Sequence, residues 1–200
     1  MRPLTRACTC ALLTCTALLA GCSTYTIRET EPPRTAAEQF LMSHAVIQSA
    51  KAITLQSVKE RKVWLETKFF KSFDKEFVLG EVRSRLLALG AVLTEKRTEA
   101  DIVVELRSAG VGIERSSWLL GLPSMPVPLP GVGTFKFPEI ALVKNITHIG
   151  VAELFLTAYS AKTGLLIERS ESLMGRTKKS DWSFVGIPYT SRENLPEELP

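Results

Sequence analysis

Every cysteine in this chain lies within its first 22 residues: Cys8, Cys10, Cys15 and Cys22. Beyond that point no disulfide framework, zinc site or cysteine nucleophile is available within one chain. The rest of the protein has to hold its fold by core packing and hydrogen bonds alone. The position of the last cysteine is also informative. It closes the run Leu19-Ala20-Gly21-Cys22, which follows a short apolar stretch.

That start has the three parts of an export leader. Arg2 and Arg6 precede the apolar run Ala7 to Leu19, and the small residues Ala20 and Gly21 precede Cys22. The apolar run is far short of the roughly 20 residues of a spanning helix. Residues 1–22 resemble the signal and lipobox of bacterial lipoproteins. The resemblance implies cleavage before Cys22 and lipid on the cysteine sulfur. It also implies a membrane anchor through Cys22, since two or more acyl chains hold stably where one does not. Ser23 follows the cysteine. An aspartate there would resemble an inner-membrane retention signal, so the expected location is the bacterial cell envelope, at the outer rather than the inner membrane.

Removing residues 1–21 leaves 179 of the 200 residues and lowers the formal charge from +4 to +2, because the leader carries two arginines and no acid. A chain of that length suits one domain that buries roughly 70% of its unfolded surface. The basic balance is therefore no nucleic-acid signature. The groups Lys59, Arg61, Lys62 and Arg176, Lys178, Lys179 read as solvated surface, or as weak attraction to anionic head groups.

The expected organisation is a signal peptide (1–21), a lipid-anchored tether (22–34), one domain (35–190) and a polar tail (191–200). Pro32 and Pro33 stiffen the tether. The domain opens on Thr35-Ala36-Ala37-Glu38, a capping box in which each side chain satisfies a backbone donor. Leu41, Met42, Ala45, Val46, Ser49 and Ile53 then share one helical face, and Phe40, His44 and Ile47 a narrower second stripe. Strand alternation runs from Lys62 to Phe70. Asp74 is placed to cap a second helix lined by Val78, Val82, Leu86 and Leu89, and Gly90 to end it. Further strands are expected at 92–95, 101–106, 140–147, 151–159 and 165–172, with His148 in a turn and Ser160–Gly164 as a hairpin.

Residues 117–138 break this rhythm. Five prolines argue against a regular helix or central strand, yet the segment is strongly apolar. It reads as an irregular loop that either covers the core or offers an apolar surface. Trp182-Ser183-Phe184-Val185-Gly186-Ile187-Pro188 echoes Trp118-Leu119-Leu120-Gly121-Leu122-Pro123, so the two tryptophan segments are expected side by side.

The resulting fold class is α+β: a two-layer sandwich with a mixed, mainly antiparallel sheet of about five to six strands and two helices packed on one face. Several pieces resemble an uncharacterised family of bacterial envelope lipoproteins. They are the lipobox, Pro33–Gln39, Ala100–Glu105, Gly121-Leu122-Pro123, Pro138–Leu142, and Ala158-Tyr159 with Thr163-Gly164. That resemblance implies no activity. The element order looks more loosely like envelope lipoproteins that support secretion channels or activate wall synthases, a likeness of fold only.

An enzyme needs a constellation, and none is legible. His44 and His148 stand alone, and Asp74, Asp101 and Asp181 sit where local hydrogen bonding accounts for them. No nucleophile elbow supports a Ser-His-Asp site. Glu105, Glu114, Glu153 and Glu168 fall on strands with unknown mutual spacing, and the Gly110-Val111-Gly112 and Gly131-Val132-Gly133 runs lack the rest of a phosphate loop. The expectation is a non-enzymatic protein with no cofactor, no metal and no nucleic-acid partner. It docks an envelope protein or a second copy of itself through Trp118, Leu119, Leu120, Leu122, Met125 and Val127, since exposed aromatic and Met anchors suit partner surfaces. The alternative is a carrier of a hydrophobic ligand, with the same segment as lid over a pocket.

Overall fold

A computed structural model of the chain describes residues 34–131 and 133–196. Those residues belong to one unit that begins at Arg34. Cys22, the leader and nearly all of the tether lie outside them.

The fold is α+β. In chain order the elements are α1 (Ala36–Lys51), β1 (Lys62–Glu66), α2 (Lys75–Ala88), β2 (Val92–Leu93), a 3-10 turn (Arg97–Glu99), β3 (Ile102–Leu122), β4 (Met125–Leu129), β5 (Gly133–Phe137), β6 (Ile140–Ser160), β7 (Leu166–Arg169), β8 (Leu173–Phe184) and β9 (Ile187–Glu193). The main sheet has seven strands in the order β2-β1-β3-β6-β8-β9, with β7 also paired to β6. β1 is parallel to β2 and to β3, and the remaining pairs are antiparallel. The sheet is thus larger than the five or six strands expected, and β4 and β5 form a separate two-stranded pair.

α1 forms where the capping box places it. The Glu38 backbone N–H donates to Thr35 Oγ1 at 3.2 Å, and the Thr35 N–H donates to the Glu38 carboxylate at 2.9 Å. Leu41, Met42, Ala45, Val46, Ser49 and Ile53 are all buried. Met42, Ala45, Val46 and Ile53 meet Val78, Val82 and Leu86 of α2 and the even-numbered residues Ile102, Val104, Leu106, Ala152, Leu154, Leu156 and Ala158 of β3 and β6. One core therefore lies between two helices and one sheet face. Each large aliphatic side chain in it contributes roughly 1.5–3 kcal/mol.

Several local expectations are corrected. Asp74 stands at the start of α2 but makes no cap bond; its carboxylate is paired with Arg34. β1 stops at Glu66, and the turn after it reverses the expected parity, so Phe70 is buried and Phe69 exposed. Residues 140–159 are not two strands with His148 in a turn. They are the single strand β6, and His148 sits mid-strand opposite Arg115 and Lys179. Gly150 serves packing rather than a turn there, because a side chain would collide with the Leu41 carbonyl of α1. The segment after Gly175 is strand β8, and β9 continues to Glu193, three residues into the expected tail.

The largest correction concerns residues 117–138. They are not an irregular loop. β3 runs through Leu122, and β4 and β5 complete the segment as a ladder from Met125↔Phe137 to Leu129↔Gly133. Pro126 and Pro128 are tolerated because both strands of a two-stranded pair are edges.

Candidate functional site

β3 and β6 each span 21 residues, which is about 70 Å if fully straight. The helices cover only part of that length. Beyond them, β3, β6, β8 and β9 continue as a four-stranded antiparallel arm. Residues paired across neighbouring strands share a face, and successive residues alternate faces. The pairing therefore reads out the arm row by row.

Gly150, Gly175 and Thr177 touch α1, which fixes the helix-side face. Alternation along β6 and β8 puts three rows on that face further out. They are Arg115–His148–Lys179–Arg192, then Ser117–Ile146–Asp181–Thr190, then Leu119–Lys144–Ser183–Pro188. The opposite face carries Ser116–Thr147–Ser180–Ser191, then Trp118–Asn145–Trp182–Tyr189, then Leu120–Val143–Phe184–Ile187. One face is thus basic and polar, and the other becomes aromatic and aliphatic toward the arm's end.

The apolar rows are open to solvent. Trp118 is 49% exposed, Leu120 57%, Tyr189 62% and Ile187 72%. Leu122 and Ile140 extend the same side, and Met125, Val127 and Phe135 of the separate β4–β5 pair are exposed as well. Trp118 and Trp182 meet edge to face at 5.9 Å, so the two tryptophan segments do lie side by side, with Asn145 of β6 between them. Trp182 also stacks on Phe184 at 5.7 Å. Beneath these rings lies a small polar group. The Thr147 hydroxyl is 2.9 Å from Asn145 Oδ1 and 3.0 Å from Ser180 Oγ, while Asn145 Nδ2 is buried without a hydrogen-bond partner among the described residues.

On the other face, β8 and β9 are tied by Asp181. Burial raises its pKa, but the Thr190 hydroxyl at 2.8 Å and Lys179 at 3.1 Å outweigh that and hold it below the usual aspartate value. Glu38 is also held low, first by the Thr35 backbone N–H and further by the charges of His148 and Arg115. The capped end of α1 therefore sits beside the basic row. The other aspartates are locally engaged as well: Asp74 with Arg34, and Asp101 with the Lys62 N–H at 3.2 Å. His44 packs edge-on against Phe40 at 4.3 Å. Among the described residues no three metal-ligating side chains gather.

Of the six residues expected to form a contact, Trp118, Leu120 and Leu122 fall on the apolar face of β3, and Met125 and Val127 fall on β4. Leu119 points to the other face and is half-buried. Trp182, Phe184, Ile187 and Tyr189 were not expected in the site, although alternation within 182–189 carried the signal. Residues 17–191 match a family of unknown function (DUF6655). The chain belongs to that family. Among curated proteins nothing matches it. The DUF6655 match spans the helices, the core and every apolar row of the arm.

Proposed function

We propose that this DUF6655 protein is a lipid-anchored component of the bacterial cell envelope that works by docking rather than by catalysis. Its contact surface is the apolar face of the arm, presented to an envelope protein or to a second copy. One observation carries the reading: Trp118, Leu120, Phe184, Ile187 and Tyr189 share one exposed sheet face. A contiguous exposed apolar surface on a folded unit marks an interaction site. The two-layer packing supports the same reading, because both helices lie against the opposite face of the mainly antiparallel sheet and leave the arm's apolar face open.

Carriage of a hydrophobic ligand is less well supported. A lid turns its apolar side chains inward over a cavity. Here those side chains face outward, and two clefts in the surface, at Lys62–Glu99 and at Phe155–Ser172, lie away from them. The lipid anchor at Cys22, on the outer rather than the inner membrane, rests on the leader and on Ser23.

Photo-crosslinking in intact cells tests the docking surface. A crosslinker at Trp118 or Leu122 is expected to give a discrete adduct, and one at the exposed control Glu171 is expected to give none. Equal labelling from all three positions, or from none, would overturn the reading.

A further inference from the structure

One buried amide on the arm is only half satisfied. Asn145 lies on β6 within the row Trp118–Asn145–Trp182–Tyr189 and is 6% exposed. One end of its amide meets Thr147 at 2.9 Å, and Thr147 in turn meets Ser180 at 3.0 Å. The other end has no hydrogen-bond partner among the described residues. Turning the amide over exchanges which end is bonded and still leaves one open. A buried polar group in that state costs stability, and natural folds keep few of them. A hydroxyl suits either orientation, since it both donates and accepts.

The side chains around the amide narrow the ligand further. Trp118 and Trp182 flank Asn145 from β3 and β8 and meet edge to face, and Tyr189 completes the row on β9. The next row on the same face, Ser116–Thr147–Ser180–Ser191, puts a hydroxyl on each of the four strands, and Ser116 and Ser191 are exposed. Neither row holds a charge, nor does the third row, Leu120–Val143–Phe184–Ile187. The first charges inward on this face, in Glu114–Ile149–Lys178–Glu193, are mostly acidic. Nucleic acid and anionic lipid need clustered Lys and Arg, so the matching ligand is neutral. It combines an apolar face for the aromatic rings with hydroxyls for the amide and the serines. A pyranose ring has both, with C–H groups on its faces and hydroxyls around its rim. The row crosses four strands, about 14 Å, which accommodates a short run of linked sugars.

We propose that these two rows form a binding site for a neutral sugar chain. The sugar rings lie along Trp118, Trp182 and Tyr189. One hydroxyl reaches between the tryptophans to the open end of the Asn145 amide, and Ser116 and Ser191 bond the rim. Trp118 is half exposed and free to turn aside, because exposed side chains change rotamer within nanoseconds. The site goes beyond the docking reading, whose contacts run on through Leu120, Leu122 and Ile187 toward the arm's end.

Calorimetric titration of the full chain tests this, in a detergent without a sugar head group. The probes are the tetramer of N-acetylglucosamine and maltotetraose, and saturable binding of at least one is expected. Trp118→Ala and Tyr189→Ala, both at exposed positions, are expected to weaken it about tenfold or more. Asn145→Leu replaces the amide with an apolar group of similar size. It is expected to weaken binding about tenfold while the melting temperature holds or rises. An amide that is merely structural would move the melt and leave the affinity alone. Binding unchanged in both Asn145→Leu and Tyr189→Ala would therefore overturn the site. No binding of either sugar would overturn the proposal, and a discrete adduct from Leu122 in cells would then leave the docking reading standing. Sugar binding without any adduct from Trp118 or Leu122 would remove the docking reading alone.

Discussion

Thr177 donates its hydroxyl to the carbonyl oxygen of Leu41 at 2.8 Å, which hangs the middle of β8 on the first half of α1. Two residues earlier, Gly175 lies against the α1 backbone, where a Cβ would run into the Ala45 carbonyl. Ser49 completes the seam by donating to the Leu173 carbonyl at 2.6 Å. Helix and strand thus meet backbone to backbone, with no side-chain layer to absorb added volume. Gly175→Ala is expected to lower the unfolding free energy by about 1–3 kcal/mol. Gly110→Ala, with open space around the added Cβ, is the matched control. Urea unfolding of the two variants checks the difference.

A second link is sensitive to acid. Burial alone would raise the Glu168 carboxyl, but backbone N–H groups of Ser57 at 2.9 Å and Gln56 at 3.2 Å outweigh it and hold its pKa below the ordinary value. A carboxylate whose folded pKa is depressed adds stability above its unfolded pKa and loses it as pH falls through the folded value. Glu168→Gln is expected to cost about 1 kcal/mol at pH 7, and the gap to the parent should close below pH 4. Urea midpoints at the two pH values measure it, and a constant gap would contradict the assignment.

Leu120 and Leu154 separate surface from core. Leu154 is fully buried, so Leu154→Ala should cost about 2–5 kcal/mol. Leu120 is 57% exposed, so Leu120→Asp should stay within about 0.5 kcal/mol of the parent. In cells the outcome reverses: Leu120→Asp is expected to abolish adducts from Trp118 while leaving expression intact. Thermal melts and crosslinking on the same variants read both effects.

Local signals in the sequence carried the helical layer. The Thr35–Glu38 box, the Leu41–Ile53 face and Gly90, with φ at +88°, act over one or two turns and are read from neighbouring residues. The arm was illegible for a different reason. Gly150 looks like punctuation, but it answers to α1 more than a hundred residues away. Pro126 and Pro128 look like strand breakers, but among the described residues β4 has one neighbour only, so a missing N–H on its free side costs little. The apolar contact surface was half legible for the same reason. Trp118 and Leu120 announce themselves, whereas Ile187 and Tyr189 become a surface only once β9 pairs with β8.

The anchor gives the most direct test. Cys22 lies outside the described residues, and the expectation rests on chemistry: a thioether at the cysteine sulfur has to form before the leader is cut. A side chain without sulfur cannot accept the lipid, so Cys22→Ala should abolish incorporation of labelled palmitate and leave the uncut precursor in the membrane. Arg34, where the described unit begins, pairs with Asp74 and lies 5.0 Å above the Phe73 ring. Label retained without Cys22 would refute the anchor.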